Sequence, residues 1–230
     1  MKDKVGIGRR ALLLGAGPVT AVTLLASGSA GQGRNGDSYA PTFFTASEWA
    51  FINAAVDRLI PSEGDGPGGV ESGVPEFIDR QLELPYGHGA YFYMRGPFQP
   101  NAPAELGYQL RHTPRELYRL GIVAIDDACK QQWDKTFAEL DLPHQEAFLT
   151  LLETGKSGIA GPLPSAFFAQ LLENTKEGYF ADPVYGGNRD MAAWRMIGFP
   201  GARADFTDWI NRAGQPYPFG PVSVNGARSK

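Results

Sequence analysis

"TPRELYRLGIVAIDDACKQQW", Thr113 to Trp133, decides the fold. Thr113 and Glu116 stand at capping-box spacing, in which each side chain satisfies a backbone N–H that the first helical turn leaves free. Pro114 takes the first helical position, where its missing N–H costs nothing. Leu117, Leu120, Ile125, Cys129 and Trp133 then recur at close to 3.6-residue intervals, so one face of a long helix is apolar. "TASEWAFINAAVDRLI" (Thr45–Ile60) repeats the plan, with Thr45 and Glu48 as the box, Trp49, Ile52, Val56, Leu59 and Ile60 on one face, and Pro61 as the stop.

Working outward, "VPEFIDRQLEL" fits a short helix opened by Pro75, and further helices are expected over Pro143–Glu153, Pro164–Glu177 and about Asp190–Ile197. "RADFTDWINRAG" (Arg203–Gly214) reads as a last amphipathic piece before a Pro-rich tail. "PSEGDGPGGVESG" is a loop, and "PYGHGAYFYMRGPFQPNAPAELGYQL" is aromatic but broken by Gly and Pro, hence an ordered excursion without regular structure. No period-2 alternation rivals the helices. The expected fold is all-α: a single irregular helical domain over residues 43–230 with long Gly/Pro-rich loops. Gly and Pro make up 47 of 230 residues (29 + 18), enough for long loops but below the roughly 25–30% at which disorder becomes the default.

The amino terminus points to export. A basic stretch ends in Arg9-Arg10, an uncharged segment runs from Ala11 to Gly33, and Ala26 to Ala30 are small. This is the layout of a signal peptide, and the paired arginines before Ala11-Leu12-Leu13-Leu14 resemble the twin-arginine (Tat) class. Gly15, Gly17 and Pro18 interrupt the apolar run, which is shorter than the roughly 20 residues that span a bilayer, so a permanent anchor is the weaker reading. The expected division is a signal peptide over residues 1–30, a flexible linker over 31–42 and the helical domain after it. Loss of Lys2, Asp3, Lys4, Arg9 and Arg10 would take the net charge from −4 to −4 − 3 = −7. An acidic exported chain lacks the basic footprint of a nucleic-acid binder.

Chemistry-bearing residues are sparse and scattered. One cysteine, Cys129, excludes an intrachain disulfide and a Cys-x-x-Cys-His haem site. It shares a face with Ile125 and Trp133, as a core thiol would; in an oxidising compartment it could instead bond a partner chain. His88, His112 and His144 carry no metal-ligand spacing, and Asp126 and Asp127 are helix neighbours facing different ways. "TGKSG" (Thr154–Gly158) lacks the earlier glycine of a phosphate loop, since Thr150 stands there, and reads as a helix C-terminus with a glycine cap. Glu63, Asp65 and Glu71 lack the alternating ladder of a calcium loop.

Two blocks carry a family resemblance: "FFTASEWAFINAAVDRLIPSEGDGPGGVESGVPEFIDRQL" (Phe43–Leu82) and "GYFADPVYGGNRDMAAWRMIGFPGA" (Gly178–Ala202). They resemble the small (gamma) subunit, subunit 3, of gluconate 2-dehydrogenase and related membrane-bound sugar or sugar-acid dehydrogenases. The Tyr185–Asn188, Trp194 and Gly198–Gly201 pattern is its most specific part. The resemblance implies a non-catalytic exported subunit, periplasmic and membrane-associated through its complex, without a cofactor of its own. It would stabilise an FAD-containing large subunit and escort it through Tat export, and a multihaem cytochrome c subunit would pass electrons on through haem c.

In that setting Tyr185, Gly186, Gly187, Asn188 and Arg189 are expected to contact the partner, because a glycine-rich turn displays them beside an arginine and aromatic side chains. Trp194 is expected to be mostly internal. The alternatives are a stand-alone exported enzyme built around His88, or a small-ligand binding protein favoured by the 12% aromatic content.

Overall fold

The reciprocal capping boxes start two of the helices as the sequence requires. The computed structural model describes residues 39–62, 66–100 and 102–229, and the signal segment with Arg9 and Arg10 lies outside them, as do Glu63 and Asp65. α1 (Ala46–Leu59) opens with both bonds of the Thr45/Glu48 box, and α3 (Pro114–Trp133) with both bonds of the Thr113/Glu116 box. α2 (Val74–Glu83) has Pro75 at its entry, α4 (Leu142–Glu153) is capped by the Asp141 side chain, and α5 (Leu163–Phe180) and the short α6 (Ala192–Ile197) follow. No strand occurs among the described residues, only isolated bridges at Gly201–Val222 and Val222–Arg228. The fold is all-α.

α5 is the hub, touching α1, α2, α3, α4 and α6. Its Phe167 meets Phe51 of α1 and, edge-on at 5.4 Å, Tyr118 of α3, while Phe51 also packs on Phe137 at 4.8 Å. Glycine sets the spacing: a Cβ on Gly121 would fall 2.3 Å from the Phe167 ring, so α3 and α5 close only because no side chain stands there. Gly178 plays the same part against Phe77 of α2, which explains why α5 continues through it to Phe180 instead of ending at Glu177.

Three expectations need correction. Leu120 is 42% exposed; the buried stripe of α3 is Leu117, Tyr118, Gly121, Ile122, Ile125 and Cys129, which follows i+4 steps that leave Leu120 outside. Arg203–Gly214 forms no amphipathic helix, only a 3-10 turn at Thr207–Trp209. There the Asp205 carboxylate takes the Thr207 N–H, while Arg203 lies over Phe206 and Tyr217, so local side-chain bonds outbid a helix. The end of the expected linker already belongs to the fold, since Tyr39 and Thr42 hydrogen-bond Asp79 of α2.

Candidate functional site

The turn between α5 and α6 is built from backbone conformations that few residues tolerate. Gly186 sits at φ 101 and Asn188 at φ 44, the left-handed positions anticipated for the Gly-Gly-Asn run. Asp190 (φ 56) and Met191 (φ 54) continue in the same region. Gly187 is needed for space, because a Cβ there would lie 2.0 Å from the Gly178 carbonyl oxygen. The Asn188 amide donates to the Ala181 carbonyl at 2.9 Å, and its oxygen accepts the Ala193 N–H at 3.0 Å, so it staples the end of α5 to α6. Trp194 is buried and donates its indole N–H to the Phe180 carbonyl at 2.8 Å.

This geometry divides the five residues expected at a partner contact. Gly186, Gly187 and Asn188 are buried within the chain, where they form the turn. Tyr185 remains half exposed (50%), and Arg189 faces solvent while its guanidinium holds Glu76 at 2.8 Å. The turn presents Tyr185 and Arg189; the middle three residues hold it in shape.

Beside Tyr185 opens a groove of about 600 Å³, walled by Phe77, Tyr86, Tyr91, Phe180 and Tyr185, with Glu177 on its edge. Tyr91 is 73% and Phe180 43% exposed, so aromatic surface stands open at the groove. Beneath it lies a polar network: the Tyr118 hydroxyl donates to the Asn174 amide oxygen at 2.9 Å, and the Asn174 amide donates to Tyr86 Oη and to Glu177 Oε2, each at 2.9 Å. Burial pushes the Tyr86 hydroxyl up to about 12. The network fixes the floor, and Tyr86 and Glu177 also border a second groove of about 650 Å³ that reaches Phe92 and Tyr108.

Elsewhere the candidate chemistry does not converge. His88 is exposed, with Nε2 2.9 Å from an Arg115 guanidinium nitrogen; His144 is held by Asp141 at the start of α4; His112 gives its carbonyl to the Tyr108 hydroxyl. Asp126 accepts the Phe137 N–H at 2.9 Å while Asp127 faces solvent, as their neighbouring positions on one helix imply. Gly155 (φ 66) ends α4, with the Lys156 N–H returning to the Leu151 carbonyl, which confirms the capped helix end. Glu71 accepts the Gly68 N–H. No group of three or more His, Cys, Asp or Glu able to hold a metal occurs among the described residues.

Cys129 is fully buried. Burial first, and the Asp126 carboxylate second, push its thiol up to about 12. It lies among the apolar side chains of the core, the surroundings expected of a core thiol. Sequence reasoning missed Tyr86, Tyr91, Phe180 and Glu177; the aromatic richness of Pro85–Leu110 was a signal, but not where those rings meet α5.

The fold and the site together define a helical domain with an open aromatic groove bordered by an exposed carboxylate. The family model described as gluconate 2-dehydrogenase subunit 3 matches residues 46–201, which is 156 of 230, and the chain belongs to that family. Both the turn and the groove fall inside the matched region. No curated protein and no solved structure matches the chain.

Proposed function

We propose that this chain is the non-catalytic small (gamma) subunit of a periplasmic, membrane-associated gluconate 2-dehydrogenase-type complex. Its partner is a large FAD-containing subunit that oxidises the sugar or sugar acid, joined by a multihaem cytochrome c subunit. The observation that carries the reading is the open aromatic surface of Tyr91, Phe180 and Tyr185 inside the family-matched region, on a domain named for a subunit of a complex. Aromatic and arginine side chains supply most of the binding energy at such interfaces. His88 faces a cation rather than an acid or a nucleophile, which favours the subunit reading over an enzyme built on that loop.

The twin-arginine signal fits the same role. The Tat route carries folded proteins, and a flavoprotein must bind FAD before export, so a signal on the small chain can serve both. Two experiments test the proposal. Changing both Tyr185 and Arg189 to alanine in co-expressed subunits should weaken association by roughly 2 kcal/mol or more, with unchanged affinity counting against this face. Replacing Arg9-Arg10 by Lys-Lys should leave this chain and the flavoprotein together in the cytoplasm; a flavoprotein that still reaches the periplasm would end the escort role.

A further inference from the structure

The groove beside Tyr185 is aromatic on its walls but not electrically neutral. Glu177 is exposed and borders both grooves, and among the described residues its side chain accepts one hydrogen bond, from the Asn174 amide. Among the described residues no cation pairs with it, whereas the other carboxylates nearby are engaged. Glu76 holds Arg80 and Arg189, Glu173 holds Lys176 at 2.7 Å, and Asp182 accepts from Ser223 Oγ, the Val224 N–H and the Val184 N–H. Tyr91, Tyr185 and Phe180, each at least 43% exposed, line the same groove as this carboxylate. Aromatic faces attract a cation through their ring quadrupoles, and a carboxylate at the end of the slot supplies the charge-assisted hydrogen bond.

We propose that the groove receives an arginine or lysine side chain carried by an extended segment of the large dehydrogenase subunit, its stem lying on Tyr185 and Phe180 and its charged end on Glu177. The inference rests on the subunit reading above and gives that interface its chemistry. Charge complementarity selects the occupant: a sugar acid, being an anion, would be repelled by Glu177, and an acidic segment likewise. The two grooves share Tyr86 and Glu177, so a segment of chain that brings a cation to Glu177 borders both. The Asn174 network beneath keeps the Glu177 carboxylate oriented before the partner arrives, so little side-chain freedom is lost on binding.

The test uses the co-expressed full complex. Glu177→Gln keeps an acceptor for Asn174 while removing the charge, and should weaken association about tenfold; Glu177→Arg should weaken it about a hundredfold, by placing like charges together. Raising the salt concentration should weaken the wild-type complex more than the Glu177→Gln complex. Thermal midpoints of the isolated variants, matched to wild type, separate a lost contact from a lost fold; if Glu177→Arg fails to fold, the Glu177→Gln affinity and its salt dependence decide alone. Wild-type affinity with an unchanged salt response in Glu177→Gln overturns the proposal while leaving the subunit reading intact. Failure of the wild-type chain to associate with the flavoprotein removes the subunit reading itself. Self-association of this chain that is lost in Glu177→Gln, or gluconate binding lost in the same variant, would also overturn it.

Discussion

Asp79 has no exposed surface, yet its two oxygens accept from the Tyr39 hydroxyl, the Thr42 N–H and hydroxyl, and the Phe43 and Phe44 N–H groups. A buried carboxylate persists only when its charge is met in this way, and the bonds tie the start of the folded domain to α2. Asp79→Ala leaves several of those donors without a partner and should cost more than about 3 kcal/mol in urea unfolding; a cost below about 1 kcal/mol would show that the clamp is not built as described. Cys129 presents the opposite case, a polar atom hidden among apolar ones. Because folding holds its thiol protonated, native protein at pH 8 should not react with a thiol reagent until unfolded, and non-reducing electrophoresis of the complex should show no band shifted by a link to a partner. Cys129 was legible from its place on the apolar face of α3, but Asp79 was not: it looks like any helix carboxylate, and its partners lie 35 to 40 positions earlier in the chain.

Helix starts were legible because caps are local. Thr45 with Glu48 and Thr113 with Glu116 need only their own four residues to close both bonds, and Gly155 needs only its own φ to end α4. What escaped was decided between elements. Leu120 faces out because Phe167 takes the place opposite Gly121, and Arg203–Gly214 gathers round Tyr217 instead of coiling. The candidate groove needs Phe77 of α2, Tyr86 and Tyr91 of the excursion and the stretch from Glu177 to Tyr185, so no spacing in the chain could reveal it. Two predictions belong to this scale. Gly187→Ala drives a Cβ against the Gly178 carbonyl, a backbone atom with no rotamer to escape into, and should destabilise the domain by about 1–3 kcal/mol or more in thermal unfolding. The Tyr86 hydroxyl ties the excursion 85–110 to Asn174 and Gln170 of α5, and the Tyr108 hydroxyl bonds the His112 carbonyl just before α3; burial pushes each from 10.0 to about 12. Between those values the unfolded chain loses these protons and the folded one keeps them, so the stability they confer is full below pH 10 and is lost as pH rises toward 12. The thermal midpoint should therefore fall across that window, and fall less in a Tyr86→Phe, Tyr108→Phe double variant.

At the scale of the whole molecule, a helical domain built around α5 places an aromatic groove and the Tyr185–Arg189 turn on its surface, and family membership supplies a reason for that surface to be open. The proposed subunit role gives the open aromatic groove another chain to meet. Trp194 belongs to the core side of this division, so Trp194→Ala should cost about 3–5 kcal/mol of the subunit's own folding, whereas changes at Tyr185 should leave the thermal midpoint in place and reduce affinity. The central claim is tested most directly by purifying the tagged full-length chain from cells that also express the flavoprotein and cytochrome subunits, and recording mass, absorbance and gluconate-dependent dye reduction of the eluted species. The account predicts one complex containing this chain, with flavin and haem absorbance and dehydrogenase activity that all disappear when this chain is purified alone. Elution of this chain by itself from that co-expression, or stoichiometric flavin and activity in the isolated chain, would contradict it.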